Sequence, residues 1–466
     1  MEKILLLNPP GDKLYQRDMY CSAVSKARYY WPSIDLLILS GILSQKYDVD
    51  VIDAIIEKIN PGECLKKINA CDYKAIVFLT GMASWKQDFE FLSQVKKENP
   101  ATQLIGNGDI LLYRAEEFLT KFDFLDGILF DYTSEDILLF LDRKYQDVCA
   151  MAFRNNGEIV IRERDRKVQE FFYPVPQHEK FPLKKYLFAA GKRFPFTTVQ
   201  TSFGCPFQCS FCVASTLGYK YRAVSNVMEE LRHVASLGIK EIFFTDFTFE
   251  ARKTNILELC QSMTAEKLNL SWVCSSRANS LDKELLSKMK QAGCHTIFLG
   301  VESGNDDILK KYSKGVSKEQ IQRTVRSCKD LGIKVLGHFI IGLPGETLET
   351  VKETIAFSKE LDCDLASFNI AVPALGTPLR DLALERGWLS EETLEFDASD
   401  SFPIMETFQF SRKMAWEWRK RAIKEFYFRP SYLWKMAKAS RSSYQRKILV
   451  INGLAVFKNI FKRIPQ

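Results

Sequence analysis

The chain has 466 residues, 46% of them hydrophobic and 26% charged, with a net charge of +7. That is too long for one ordinary domain and too apolar for a disordered chain. No run of about 20 apolar residues appears, so no spanning helix is expected, and the opening "MEKILLLNPP" reads as a first strand and not as a signal peptide. The expected location is therefore the cytoplasm, with the twelve cysteines held as reduced thiols.

In chain order, strand-like apolar runs fall at 3–10, 49–54, 75–80, 103–108 and 127–132, with helix-like segments near 34–46, 61–70, 85–97, 114–121 and 134–143. Five βα units predict a doubly wound, flavodoxin- or Rossmann-like parallel sheet over residues 1–145. Ligands of such sheets lie beyond the C-terminal strand ends, here Asn8-Pro9-Pro10, Thr80-Gly81-Met82, Gly106-Asn107-Gly108 and Asp131-Tyr132-Thr133. Residues 146–193 read as a connector. It holds a hairpin turning at Asn155-Asn156-Gly157 and a Pro-rich extended stretch, "YPVPQHEKFPL".

A second βα series spans 194–380, with strands near 196–202, 241–246, 271–276, 295–301, 335–342 and 366–372. Helices such as "SNVMEELRHVASLG" and "KELLSKMKQAG" end at a glycine just past the last apolar position. Six such units predict a partial (β/α)6, TIM-like barrel, whose chemistry belongs on the loops after the strands.

Residues 381–466 read as helical, aromatic and basic. From Ser411 to Gln466 there are 15 Lys/Arg against two Glu, while the rest of the chain is mildly acidic. The stretch "LVINGLAVFKNIFKRI" (449–464) reads as an amphipathic, cationic segment suited to a peripheral contact on the inner face of a membrane. A solvated basic face on barrel-packed helices is the plainer reading. No nucleic-acid-binding module is visible.

Three of the cysteines are clustered in "GCPFQCSFC", at Cys205, Cys209 and Cys212, directly after the first barrel strand. A disulfide framework does not suit a reducing compartment. A structural zinc ion needs a fourth ligand, for which Cys260, Cys274 and His233 are the nearby candidates. A [4Fe–4S] cluster held by three thiolates keeps one iron open to a ligand. Phe207 and Phe211 would then shield it from water.

CxxxCxxC after the first strand of a βα barrel resembles the signature of the radical S-adenosylmethionine (SAM) superfamily, and the resemblance covers roughly 194–380. It implies a [4Fe–4S] cluster on Cys205, Cys209 and Cys212, whose open iron chelates SAM. Reductive cleavage of SAM then gives a 5′-deoxyadenosyl radical that abstracts hydrogen from an unactivated carbon. Further motifs match in order: "FFTDFTFE", with Asp246, Phe247 and Thr248 near the SAM amino group; Arg277 in "CSSRAN"; "LGVESGN", with Glu302 and Ser303 on SAM; and "GHFIIGLPGET", with backbone at Ile341 and Gly342 flanking adenine.

The N-terminal sheet, opening "LLLNPP" and continuing "YYWPSIDLLILSGILSQ", is similar to the cobalamin-binding branch of that superfamily, as is "AIKEFYFRPSYL" at 422–433. The resemblance implies cobalamin over the strand edge, touching Asn8, Pro9, Gly81, Gly106 and Gly108. Residues 1–177 contain no histidine, so the lower axial ligand would not be one. Where the branch carries a Gly-Gly pair and a Gly-Glu-rich turn, this chain has "IGNGDILL" and "LFDYTSEDI". The expected activity is radical modification of an unactivated carbon of a small molecule or lipid, foremost by methyl transfer, with an electron donor such as flavodoxin or ferredoxin. The alternatives are a cobalamin-independent oxidoreductase, rearrangement or C–C bond-forming enzyme with a relic sheet, and a non-catalytic iron–sulfur protein at the membrane surface.

Overall fold

A computed structural model describes residues 1–25, 29–394, 402–439 and 443–461. Its N-terminal sheet has five parallel strands, Lys3–Asn8, Asp48–Asp53, Tyr73–Leu79, Gln103–Asn107 and Gly127–Leu129. Asp48–Asp53 lies outside Lys3–Asn8, and the remaining three follow on its other side, so strand order reverses at the first strand. The connector's hairpin, Met151–Asn155 and Glu158–Arg162, extends this sheet antiparallel from Gly127–Leu129. Its turn residues Asn156 and Gly157 both have positive φ, 50° and 86°, as a two-residue turn of this type requires.

A short antiparallel hairpin, Tyr15–Asp18 with Cys21–Val24, folds back over the C-terminal edge of the sheet at the reversal point. It is pinned from inside. Arg17, 1% exposed, pairs with buried Asp88 at 2.6 Å and donates to the Asn8 side chain and the Pro9 carbonyl. Asp18 accepts from the indole of Trp31 at 2.9 Å.

The second sheet has six parallel strands in sequence order: Phe196–Val199, Glu241–Phe244, Ser271–Ser276, Cys294–Glu302, Lys334–Ile341 and Leu365–Ile370. Strand residues alternate between faces. Val335, Phe339 and Ile341 join Val325, Ile355 and Ile423 of the surrounding helices in one core. Leu336, His338 and Ile340, on the opposite face, are only half-buried and line the concave side.

The N-terminal sheet and the barrel share a second core. It unites Ile4, Leu37 and Ile105 with Tyr173, Tyr186 and Phe188 of the connector and with Phe196, Phe243 and Val273 of the barrel. The helix Ile34–Ser44 is buried from Ile34 to Leu43 because elements cover it on all sides; a Cβ on Gly41 would stand 2.5 Å from the Pro174 carbonyl oxygen. The interface is also hydrogen-bonded, with Thr198 donating to the Pro32 carbonyl at 2.9 Å and Tyr132 meeting Gln200 at 3.2 Å.

Three helices close the chain, Arg412–Tyr427, Pro430–Ala439 and Ser443–Phe461. Residues 462–464 of the segment read as amphipathic lie outside the described residues. Among the described residues no helix is long and apolar enough to cross a membrane.

Candidate active site

The cysteine loop lies between two short paired strands, Ser202–Gly204 and Tyr219–Arg222. Gly204 turns it with φ +71°, and a Cβ there would stand 1.9 Å from the Gly218 carbonyl oxygen, so only glycine fits. That same oxygen accepts the Cys205 amide at 3.1 Å. The Cys209 carbonyl accepts the Cys212 amide, and Ser210 ties the loop to Tyr312 and Leu379. Cys205 and Cys209 are 8% and 6% exposed; Cys212 is half-buried.

Side chains from later strands converge on these thiols. Thr248 Oγ1 lies 3.5 Å from Cys205 Sγ. Arg277 donates from Nη1 to Cys209 Sγ at 3.1 Å and lies flat over the Phe207 ring, 4.0 Å from its centroid. Burial pushes the Cys205 thiol up. It pushes Cys212 up to about 12, and the neighbouring Cys209 and Cys205 add to that shift. Cys205 and Cys212 therefore hold their protons until a metal displaces them.

Among the described residues the zinc alternative finds no fourth ligand. His233 pairs with Glu179 at 3.2 Å, and Cys260 and Cys274 are buried in the barrel core. Among the described residues no three His, Cys, Asp or Glu close around a single ion.

The other expected site residues divide. Asp246 is fully buried, and its Oδ1 accepts from the amides and hydroxyls of both Thr201 and Ser202, which fixes the approach to the cysteine loop. Its Oδ2 has no partner, and burial pushes the carboxyl up to about 7 against those donors. Phe247 packs on Tyr20 of the N-terminal hairpin, centroids 5.4 Å apart. Glu302 has φ +65°, uncommon outside glycine, and pairs with Lys314 at 2.7 Å. Gly300 leaves room for that pair, since a Cβ would stand 2.6 Å from both charged atoms. Ser303 faces away: its hydroxyl meets Thr354 at 3.2 Å and accepts the Asn305 amide. The Ile341 side chain also points to the helices, leaving its backbone and that of Gly342 at the strand end.

Sequence reasoning missed Lys314 and Glu346. Glu346 is fully buried and accepts the Gly342 and Leu343 amides at 2.6 and 3.0 Å, so it shapes the turn after the fifth strand. Single charged residues carry no periodic signal. Also missed were polar groups on the concave face, His338, Ser367 and Asn369, all half-buried on neighbouring strands.

At the edge of the N-terminal sheet the expected cobalamin contacts meet the chain's own atoms. Asn8 donates to Tyr30 and Asp53. A Cβ on Gly81 would stand 2.3 Å from Ser22 Oγ of the hairpin, on Gly106 2.4 Å from Leu111, and on Gly108 1.9 Å from the Thr80 carbonyl. Glycine is the side chain that fits at these three positions, which keeps the backbone there close to its neighbours. Asn107 Oδ1 and Asp35 Oδ1, in fully buried side chains at the same edge, have no partner.

The family model of the radical SAM superfamily matches residues 199–358. An uncharacterized methyltransferase of Pyrococcus horikoshii is 30% identical, over 93% of this chain and 94% of that protein. The anaerobic magnesium-protoporphyrin IX monomethyl ester cyclase of Rubrivivax gelatinosus is 24% identical, over 80% of this chain and 70% of its own length. Among solved structures, the radical SAM methyltransferase TsrM from Kitasatospora setae, with cobalamin and a [4Fe–4S] cluster bound, superposes with a TM-score of 0.71 at 16% identity, covering 98% of this chain and all of that one. The three-cysteine loop, the six parallel strands behind it and a full-length relative at this identity lead to one conclusion: the chain belongs to the radical SAM superfamily.

Proposed function

We propose that this enzyme transfers a methyl group to an unactivated carbon of a small molecule, using a [4Fe–4S] cluster, SAM and cobalamin. The observation that carries the reading is the placement of the cysteine loop. It stands with Thr248 and Arg277 against its sulfurs, at one end of a concave sheet face that the N-terminal sheet covers. The full-length similarity to a methyltransferase supports the choice of reaction.

The residues fit the cluster: three thiols on one loop, and a guanidinium on one sulfur to offset negative charge. When bound, the cluster supplies the electron that cleaves SAM, and cobalamin supplies a carrier for the methyl group. Arg277 holds the Cys209 sulfur. The Glu302–Lys314 pair, the free Asp246 Oδ2 and the Gly342 backbone, set by Glu346, offer polar groups to SAM. His338, Ser367 and Asn369 hold and orient the substrate on the concave face. The shared core behind Phe243 excludes water from that space. For cobalamin, the unpartnered Asn107 and Asp35 oxygens suit the amide donors of its periphery. The hairpin covers Asn8, Pro9 and Gly81, so those three reach the ligand only once it shifts. An electron donor of flavodoxin or ferredoxin type completes the reaction.

The covered edge favours one second reading, a radical SAM enzyme that works without cobalamin. Anaerobic purification with cobalamin supplied, followed by iron and sulfide reconstitution, separates the two. The expected result is SAM cleavage to 5′-deoxyadenosine, lost in Cys205→Ala, together with bound cobalamin giving a base-off Co(II) EPR signal without nitrogen splitting. SAM cleavage with no bound cobalamin favours the second reading. No cluster and no cleavage overturns both.

A further inference from the structure

The last helix, Ser443–Phe461, is apolar on two sides. One side rests on the barrel: Ile448 is 7% exposed, Val456 and Ile460 pack against the barrel core, and Asn452 donates to the Ala189 carbonyl at 3.2 Å. The other side carries Val450, Leu454, Phe457 and Phe461, whose spacing aligns them along one face. All four are 55–64% exposed, and the two phenyl rings stand 4.5 Å apart. In the preceding segment Phe428, Leu433 and Trp434 are 50%, 54% and 65% exposed. Single exposed apolar residues are ordinary; an aligned stripe of this length marks an interaction surface.

Between the helix Arg412–Tyr427 and this last helix runs an open groove of about 710 Å³, lined on the last helix by Ile460 and reaching the exposed Phe428. Its lining includes Lys420, Arg421, Lys424 and Arg429. Glu425 pairs with Lys359 and Arg421 at 2.7 Å each and Arg429 lies 3.7 Å from Asp362, but four lining cations against one lining carboxylate keep the groove net positive. The same region holds 15 Lys/Arg against two Glu, while the rest of the chain is mildly acidic. A second copy of this chain would set one cationic face against another. A nucleic-acid backbone would answer the charge but leave the aromatic stripe in water.

We infer that this face seats on an anionic bilayer surface, the stripe entering the headgroup–acyl boundary and the basic groove receiving lipid phosphates. The helix lies along the surface and does not cross it. This surface is remote from the methyl-transfer reading and stands or falls independently of it.

The test is flotation of the full chain with two kinds of vesicle, phosphatidylcholine alone and a mixture in which roughly a third is phosphatidylglycerol. The expected result is at least about tenfold stronger partition onto the anionic vesicles, weakening as salt is raised. Lys420→Gln and Lys424→Gln each lower it about fivefold. The double variant Phe457→Ser/Phe461→Ser abolishes most of it while circular dichroism and cluster absorbance stay unchanged. Equal partition onto both vesicles, or onto neither, overturns the inference. So does a concentration-dependent dimer by light scattering that the double variant dissolves, since the occupant is then a second copy.

Discussion

Arg277, just past the third barrel strand, donates to the sulfur of Cys209 on the loop after the first, at 3.1 Å. The guanidinium is nearly buried and also donates to the Lys314 carbonyl, so it is held in place. A cation bonded to a ligand sulfur favours the more reduced, more negative state of a cluster there. Arg277→Met should lower the reduction potential by about 65–130 mV, the equivalent of one charged hydrogen bond. An EPR-monitored redox titration checks this. An unchanged potential with a full complement of iron would rule out the contact.

Gly204→Ala should prevent cluster assembly. The added carbon would collide with the Gly218 carbonyl, which holds the Cys205 amide, and the backbone would be strained at φ +71°. Iron per chain after reconstitution should fall several-fold, with far-UV circular dichroism unchanged because the loop lies outside the main sheets.

Glu346 imposes a pH dependence on stability. Burial pushes its carboxyl up from 4.5 to about 7, opposed by the Gly342 and Leu343 amides. The native chain therefore keeps a proton that the unfolded chain releases between those values. Stability falls as pH rises from about 4.5 to about 7, by at most about 3 kcal/mol, and stays lower above. Glu346→Gln mimics the protonated side chain. It should match the wild type near pH 4.5 and exceed it at pH 8, as read from urea midpoints across that range.

The hairpin tip joins the two halves. Tyr20 meets Ser275 at 2.6 Å and packs on Phe243, Phe247 and Trp31. Tyr20→Ala should destabilise by about 2–4 kcal/mol. With cobalamin added to the apoprotein in stopped flow, it should also speed uptake, since the hairpin covers Asn8, Pro9 and Gly81. Uptake at the wild-type rate would show that the hairpin is no obstacle.

Elements with a dense apolar code were legible in the sequence. All five N-terminal strands and all six barrel strands fall within a few residues of their expected places, because buried parallel strands read as continuous apolar runs. The turn at Asn156-Gly157 was legible because both residues tolerate positive φ. The hairpin "YQRDMYCSAV" was not. It has no clean alternation, its turn at Met19-Tyr20 lacks glycine or asparagine, and buried pairs such as Arg17–Asp88 hold it, with partners some 70 residues away. The cysteine loop was legible by spacing, whereas Glu346 and Lys314 matter only through what the fold brings beside them. The tail's apolar content was also plain, but periodicity alone does not say that one stripe faces the barrel and another faces outward.

The core shared by Phe243 and Val273 with Leu37 and Ile105 has a bearing on descent. A lineage that lost its need for a corrin could not discard the sheet that once held it, because the barrel would be left with an uncovered aromatic wall. Selection for folding alone keeps such a sheet. The sheet is thus held by two separate demands, the seating of a ligand and the covering of the barrel, and the second would remain if the first were lost.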